Sequence, residues 1–491
     1  MTAAALFPPD VLTDDSGAEW ELVIGLEVHC ELATETKLFC SCPNRFGAEP
    51  NTNVCPVCLG LPGSLPVLNA RAVTFALRLG RALGCSVEPG VFARKNYFYP
   101  DMPKDYQTSQ YDKPTNVDGR LELADGTVIG IERAHIEEDT GKSTHVGGGG
   151  RIHEAGHSLV DYNRAGVPLV EIVGRPDLRS GDAARAYVDE LRAILLATGV
   201  SDARMEEGSM RVDANVSVRP VGSSELGTRC EIKNLNSTRS LGRAVAYEAR
   251  RQVDLLTSGD RVRQETRHWD EEGGRTRPGR SKEEADDYRY FDEPDLVPLE
   301  PTAAQVAAVD AEMPLLPARR RARLAEAAGV EPVAVALHVE RGLDDLALAA
   351  IEAGGDVARV LNHIEHDLAV DGAATLDAGH LAALTRMAAA GDLTATQSKT
   401  VLGEMVDTGE APEAIAERLG FEAMGADALE TAIDEVIAAN ADDWAEFCST
   451  DDGKKVGKLT GFFVGQVMKA TRGQADGKAV TASLQRRRQA G

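Results

Sequence analysis

No stretch of this chain approaches the run of about 20 apolar residues that a membrane-spanning helix needs, so no membrane association is expected. The first residues, MTAAALFPPDVLTDD, lack a basic leader region and turn acidic early, which argues against a secretory signal and makes the cytoplasm the expected compartment. Cysteine is sparse, eight in 491 residues, and a reducing compartment argues against disulfides as its role. Positive charge is also short: 53 Lys and Arg stand against 78 Asp and Glu, for a net charge of −25. Phosphate binding needs a positive surface, so a nonspecific nucleic-acid coat is disfavoured and no DNA partner is expected.

What is present is an ordinary globular composition, 43% hydrophobic and 27% charged, in a chain too long for one core. Up to about residue 300 the sequence is rich in Gly, Pro, aromatics and short alternating segments. Beyond EPDLVPLEP (293–301) it turns to Ala, Leu and Glu at helical spacing. The expected fold is α+β: a sheet-rich domain over 19–300, an all-helical domain over 301–421, and a small helical tail domain over 422–491. The Pro-rich join reads as a linker, with a weaker boundary near GFEAMGADAL (420–429). One helix is predicted inside the first domain. Ser180 caps it, Ala184, Tyr187, Val188, Leu191 and Leu195 form its apolar stripe, and Gly199 ends it. The glycine run 147–150 reads as a flexible loop tip.

Half of the cysteines fall in FCSCPNRFGAEPNTNVCPVCLG (39–60). Cys40 and Cys42 form one close pair, Cys55 and Cys58 another, with Pro43, Pro56 and Gly60 shaping the turns. Two turn-borne thiol pairs fit a tetrahedral zinc site. Four protein ligands leave no position for substrate, so such a site holds a loop rather than doing chemistry.

Chemistry is expected next door. ELVIGLEVHCEL (21–32) alternates throughout: Leu22, Ile24, Leu26, Val28, Cys30 and Leu32 share one face, and Glu27, His29 and Glu31 the other. Oxygen ligands with one imidazole suit Mg²⁺ or Mn²⁺. In AHIEEDTGKSTH (134–145) the acids Glu137, Glu138 and Asp139 repel one another unless a cation is near. The DTGKST part is not a phosphate loop, because the required upstream glycine is Ile136. Glu171 is a lone carboxylate in an apolar strand and needs a metal or a salt bridge. MRVDANVSVRP alternates apolar Met210, Val212, Ala214, Val216 and Val218 with Arg211, Asp213, Asn215, Ser217 and Arg219; Arg229, Glu231 and Lys233 follow. FARKNYFYPDMPKDYQTSQ (92–110) combines Arg94 and Lys95 with a dense aromatic cluster that suits a nucleotide or a terminal adenosine. From Lys454 onward the charge reverses, with nine Lys or Arg against the single acid Asp476. Gly457, Gly461 and Gly465 recur there every four residues and leave one helix face smooth.

Taken in order, VIGLEVHCEL, RKNYFYPDMPKDYQTSQ, IEEDTGKSTH, DYNRAGVPLVEIV, EEGSMRVDANVSVRP, EIKNLNS, DDYRYFDEPDLVPL and GFFVGQVMKATRGQAD resemble the B-subunit family of the aspartyl/glutamyl-tRNA amidotransferases (GatB). The likeness runs from about residue 20 to the end. It implies a heterotrimer with A and C subunits and a cradle-shaped catalytic domain. There ATP phosphorylates the side-chain carboxylate of misacylated Glu-tRNA(Gln) or Asp-tRNA(Asn), and ammonia from the A subunit displaces the phosphate. The residues matching the family's Mg²⁺ site are Glu27, His29, Glu138 and Glu171; Glu137, Lys95 and Lys142 are candidates for phosphate contact or channel lining. Some family members keep the paired cysteines and others lack them, as befits a structural zinc. The basic tail, with Lys454, Lys455, Lys458, Lys469 and Arg472, is the expected grip on the tRNA body. A noncatalytic tRNA-binding scaffold would have no use for the acidic cluster, and the synthetase-like insertion of an archaeal relative has no room between the motifs.

Overall fold

The alternation in ELVIGLEVHCEL becomes a long strand, β2 (Glu19–Glu31), preceded by the short β1 (Val11–Thr13). This computed structural model describes residues 6–147, 155–281, 288–370, 372–421, 426–450, 452–471, 475 and 477–490, and Gly148–Gly150 and Arg472 lie outside them. Leu22, Ile24, Leu26, Val28 and Cys30 of β2 are all buried on one side. The chain divides into two compact units, Met1–Arg319 and Arg320–Gly491.

The first unit is built on a sheet of 13 strands among the described residues. After β2 come β3 (Ser86–Val87), β4 (Val91–Asn96), β5 (Tyr106–Lys113), β6 (Asn116–Glu122) and β7 (Val128–Glu138). A separate hairpin follows, β8 (Lys142–Val146) with β9 (His157–Asp161). Then come β10 (Pro168–Gly174), β11 (Met210–Pro220), β12 (Cys230–Leu235), β13 (Glu265–Asp270), β14 (Arg275–Ser281) and β15 (Phe291–Asp292). The main path runs β14-β13-β12-β11-β2-β10-β7-β5-β4-β15. Its pairs are antiparallel except β12–β13. GKST therefore opens a strand and not a helix, in keeping with the missing phosphate-loop glycine.

Helices α1 (Ala70–Ala82), α2 (Gly181–Thr198) and α3 (Thr238–Thr257) share one apolar core with the buried faces of β2, β7, β10 and β11. The cap and stop read for α2 are in place: the Ser180 hydroxyl accepts from the Ala183 amide, and Gly199 turns the chain at φ +64°. Two further helices went unread in the sequence. Asn69 caps α1 through the amides of Arg71 and Ala72, and Ser237 caps α3 through that of Ser240.

The Pro-rich join is not a free linker. Leu299 and Gly90 exchange two backbone bonds of 2.8 Å, and Glu293 donates its amide to the Phe92 carbonyl, so the segment straps the sheet edge. The next helix, α4 (Ala303–Ala311), puts Val309 into the first core. Its C-terminal end pairs back on α1, with Arg81 to Asp310 at 2.8 Å and Arg78 to Glu312 at 2.7 Å. The first unit consequently reaches past residue 300 to Arg319.

The second unit is helical throughout its described residues. One apolar cluster gathers residues between Leu324 and Phe421, and another gathers residues between Leu429 and Leu484. In the latter, Trp444, Phe447 and Phe463 meet at centroid distances of 5.3–5.9 Å. The basic tail is partly engaged within this cluster. Arg487 pairs with Glu430 and Asp434, Arg488 donates to the Phe447 and Thr450 carbonyls, and Lys455 pairs with Glu446. Lys454, Lys458 and Lys469 remain exposed on the helix Gly453–Ala470, where Gly457, Gly461 and Gly465 face open space. Phe463→Ala removes the buried ring at the centre of this cluster and should cost about 3–5 kcal/mol. Hydrogen exchange should accelerate in the helices after residue 426 and stay unchanged across the sheet; acceleration spread evenly over both units would refute an independent core.

Candidate functional site

The helix-free face of the sheet is the floor of a cavity of about 2370 Å³. Pairing register builds its centre. Glu171 on β10 stands opposite His29 on β2 and opposite His135 on β7, while Arg211 on β11 stands opposite His29 from the other side. Four polar residues therefore form one row across four strands. In the next row, Glu137 of β7 faces Leu169 of β10.

His29 Nε2 lies 3.8 Å from a Glu137 oxygen and 3.9 Å from a Glu171 oxygen. One ligand atom from each of the three residues fits within 4.8 Å of the others, so together they can hold a metal ion. His135, fully buried beneath them, has Nε2 at 3.3 Å from Glu171 and 3.8 Å from Glu137. Burial opposes its charged form, but the two carboxylates outweigh burial and push its pKa up to about 9. Burial likewise opposes ionisation of Glu171, yet His135, His29 and Lys95 hold it below the ordinary carboxylate range. Two carboxylates thus crowd the two imidazoles, with negative charge in excess. A divalent cation suits the same excess.

The structure brings together only part of the predicted ligand set. His29 and Glu171 converge, but with Glu137 and not with Glu138. Adjacent strand residues point to opposite faces, and Glu138 points to the back of the sheet. There its carboxylate pairs with Lys104 and accepts from the Thr108 amide at 2.9 Å. Glu27 lines the cavity one row along β2 from His29, where it accepts from Asn215 at 2.9 Å. Lys95 lines the cavity with its ammonium 4.6 Å above the Tyr288 ring, and Lys142 stands exposed at the rim. Sequence reading missed His135, although its place two residues before Glu137 put it on the same face by the alternation already applied to β2.

At the Arg211 end of the central row and beyond it the cavity holds cations paired to acids. Arg211 and Arg164 converge on Asp139 at 2.9 and 3.4 Å and keep it ionised despite burial. Glu31 is pushed up to about 8 by burial and by the Asp139 charge beside it. Lys233 bridges Asp213 at 2.6 Å and Glu231 at 3.4 Å. On the opposite flank, burial and the charges of Glu137 and Glu171 raise the Tyr290 phenol above its usual range.

On the reverse side, the sulfurs of Cys40, Cys42, Cys55 and Cys58 lie within 4.8 Å of one another. Tetrahedral ligands at about 2.3 Å from a metal stand about 3.8 Å apart, and the Cys55 and Cys58 sulfurs are 3.9 Å apart. The Cys58 thiol is pulled down to about 4, first by the Cys40 contact, with the Cys55 amide and the Lys37 ammonium assisting. Buried Lys37 also donates to the Tyr162 carbonyl, and the Leu38 amide donates to that of Gly166. Asn51 and Asn53 bind the side chains of Asp161 and Asn163. The thiol loop is thus laced to the turn that leads into β10 and Glu171. Gly60, at φ +66°, permits its approach to Lys104, because a Cβ there would stand 2.6 Å from Lys104 Cγ.

Comparison with known proteins gives concordant matches. Residues 22–307 match the model of the GatB/GatE catalytic domain, and residues 342–487 match that of the GatB domain. The chain is 49% identical to the B subunit of the aspartyl/glutamyl-tRNA(Asn/Gln) amidotransferase from Nocardia farcinica, over 95% of each chain. It is 51% identical to the protein of the same name from Frankia casuarinae, again over 95% of each.

If the thiol cluster is a metal-held prop, Cys55→Ser should lower both the metal content and the midpoint of thermal unfolding. Turnover by the surviving folded protein should stay near wild type. Elemental analysis finding no metal in wild-type protein purified without chelator would sink the idea.

Proposed function

Because this chain belongs to the B-subunit family of the aspartyl/glutamyl-tRNA(Asn/Gln) amidotransferases, we propose that its cavity activates and amidates the side chain of a misacylated tRNA. The reaction is ATP-dependent phosphorylation of the side-chain carboxylate of Glu-tRNA(Gln), Asp-tRNA(Asn) or both, followed by displacement of the phosphate by ammonia. A carboxylate is a poor electrophile, so activation has to precede attack by ammonia. The observation that carries this reading is the convergence of His29, Glu137 and Glu171 on the floor of a cavity whose lining also holds Lys95, Arg211 and Lys233. These three residues would hold Mg²⁺, which supplies charge neutralisation for the transferring phosphate.

The chain's own residues do the rest. His135 orients the Glu137 and Glu171 carboxylates from beneath. Arg211, at one end of the central row, and Lys95, whose charge acts on Glu171, attract the anionic parts of the substrates. The helix-backed sheet walls the acyl phosphate off from bulk water on one side. Zinc is the metal assigned to Cys40, Cys42, Cys55 and Cys58, as a brace for the turn before β10. Ammonia comes from the A subunit of a cytoplasmic heterotrimer completed by a C subunit. Within the chain, the sheet unit is the catalytic cradle, the helices after it form a spacer, and the helices beyond residue 426 contact the tRNA body through Lys454, Lys458 and Lys469.

Two experiments test this reading. In the assembled heterotrimer, Glu137→Gln should abolish Mn²⁺ binding and slow tRNA-dependent ATP cleavage by about 100-fold or more, with little change in tRNA affinity. Glu138→Gln, whose amide oxygen can still accept from Lys104 and from the Thr108 amide, should retain Mn²⁺ binding; the opposite pattern of Mn²⁺ retention would move the cation to the other face of β7. For the tail, Lys454→Glu with Lys458→Glu should weaken tRNA binding and flatten the log–log salt slope by about 2. An affinity unchanged at every salt concentration would remove the tail from the tRNA contact.

A further inference from the structure

Lys37 has none of its side chain open to solvent, and it is among the largest side chains buried so completely. An ammonium in that position loses its hydration and needs negative charge beside it. Lys104 and Arg267, each with a tenth or less of its side chain exposed, find that charge on Glu138 and Glu248. Among the described residues no carboxylate pairs with Lys37, whose ammonium instead donates to the Cys58 sulfur at 3.7 Å and to the Tyr162 carbonyl at 3.3 Å. A carbonyl offers only a dipole, so the negative charge has to come from sulfur.

The backbone sets this contact up. The Lys37 amide donates to the Cys42 carbonyl at 3.0 Å, and Thr36 and Pro43 form an antiparallel bridge beside it. Residue 37 is thereby fixed to the first thiol pair by its backbone while its side chain reaches the second. The Asn69 side-chain amide donates to the Lys37 carbonyl at 3.2 Å and ties the same residue to the start of α1. At Cys58 the ammonium is joined by the Cys55 amide, 3.1 Å from the same sulfur. Two donors therefore converge on one sulfur of a cluster whose four sulfurs lie within 4.8 Å of one another.

Thiols that hold a metal do so as thiolates, and four of them exceed the charge of a zinc dication by two. Water would screen such an excess. Cys42 and Cys58 are buried, so screening there falls to the protein. We propose that Lys37 is the built-in counter-charge of the thiol cluster, a positioning residue that lowers the net charge of the loaded centre and so tightens its hold on zinc. The assignment rests on the zinc reading of the four cysteines and is independent of the amidation chemistry. It also accounts for how closely the loop is stitched to the turn at Tyr162, since the ammonium that serves the cluster ends on the backbone of that turn.

The test uses the full chain and two substitutions made separately, Lys37→Met and Lys37→Gln. Both remove the charge, and only Gln keeps an N–H donor. Competition against a chromophoric chelator should show zinc held about tenfold or more weaker in both variants. With cobalt(II) in place of zinc, the thiolate-to-cobalt charge-transfer band gives a reading that a change in folding stability alone would not move. A positive charge beside the donor sulfur lowers the energy of its electrons, so removing it should shift the band to longer wavelength in both variants. Zinc affinity and band position equal to wild type in both would overturn the proposal. Wild-type behaviour in Lys37→Gln beside losses in Lys37→Met would overturn it too, because the donor to Tyr162 and not the charge would then be what matters. A wild-type chain that takes up neither zinc nor cobalt refutes the metal reading of the cluster and this assignment with it. The expected variant losses, found alongside an assembled heterotrimer that cleaves no ATP, would uphold the role of Lys37 and refute the amidation reading alone.

Discussion

Side chains on a strand alternate, and the central antiparallel strands carry opposite chemistry on their two sides. On β2, Leu22 to Cys30 are buried against helices while Glu27 and His29 face the cavity. The same division holds on β11, where Met210 to Val218 are buried and Arg211 and Asp213 line the cavity. Burial of the apolar side fixes the register, since a slip of one residue would exchange the two faces entirely. The geometry of the cavity face is therefore held by hydrophobic packing on the far side of the sheet. Repulsion among the acids is tolerated because the apolar face leaves them nowhere else to go.

That constraint also sets how much could be read in advance. The division into a sheet-rich part and a helical part was legible in the change of texture near residue 300, and α2 was legible in Ser180, its stripe and Gly199. The polar faces of β2 and β11 followed from period two. Glu137 and Glu138 show where reading stopped. Both were visible as part of an acidic run, but without a strand phase for β7 nothing in the letters said which carboxylate faced His29. Once Glu171 is paired across to His135, the phase is fixed and Glu137 is selected. The position of α4 was illegible for a related reason. Its Asp310 and the adjacent Glu312 are ordinary surface acids until α1 brings Arg78 and Arg81 beside them.

The tail shows charge counting reaching a different limit. Net charge along a segment says nothing about which cations already have partners. Arg487 and Arg488 are engaged by Glu430, Asp434 and two carbonyls, which closes the small aromatic cluster around Trp444. Among the described residues of the tail, the exposed cations outside ion pairs, Lys454, Lys458 and Lys469, lie along one helix.

Glu137 and Glu138 are consecutive, so one peptide unit joins the front of the sheet to the back. In front, the Glu137 carboxylate converges with His29 and Glu171. Behind, its neighbour is clamped by Lys104, whose stem lies against Gly60. Positional tolerance at the front is thus inherited from a clamp on the other side of the backbone. Loosening that ion pair by a fraction of an ångström would tilt the β7 strand and misaim Glu137 without breaking a single bond in the cavity. A change at Lys104 would then register as lost alignment in a protein that remains folded, and its severity would grow with how narrowly the chemistry depends on distance.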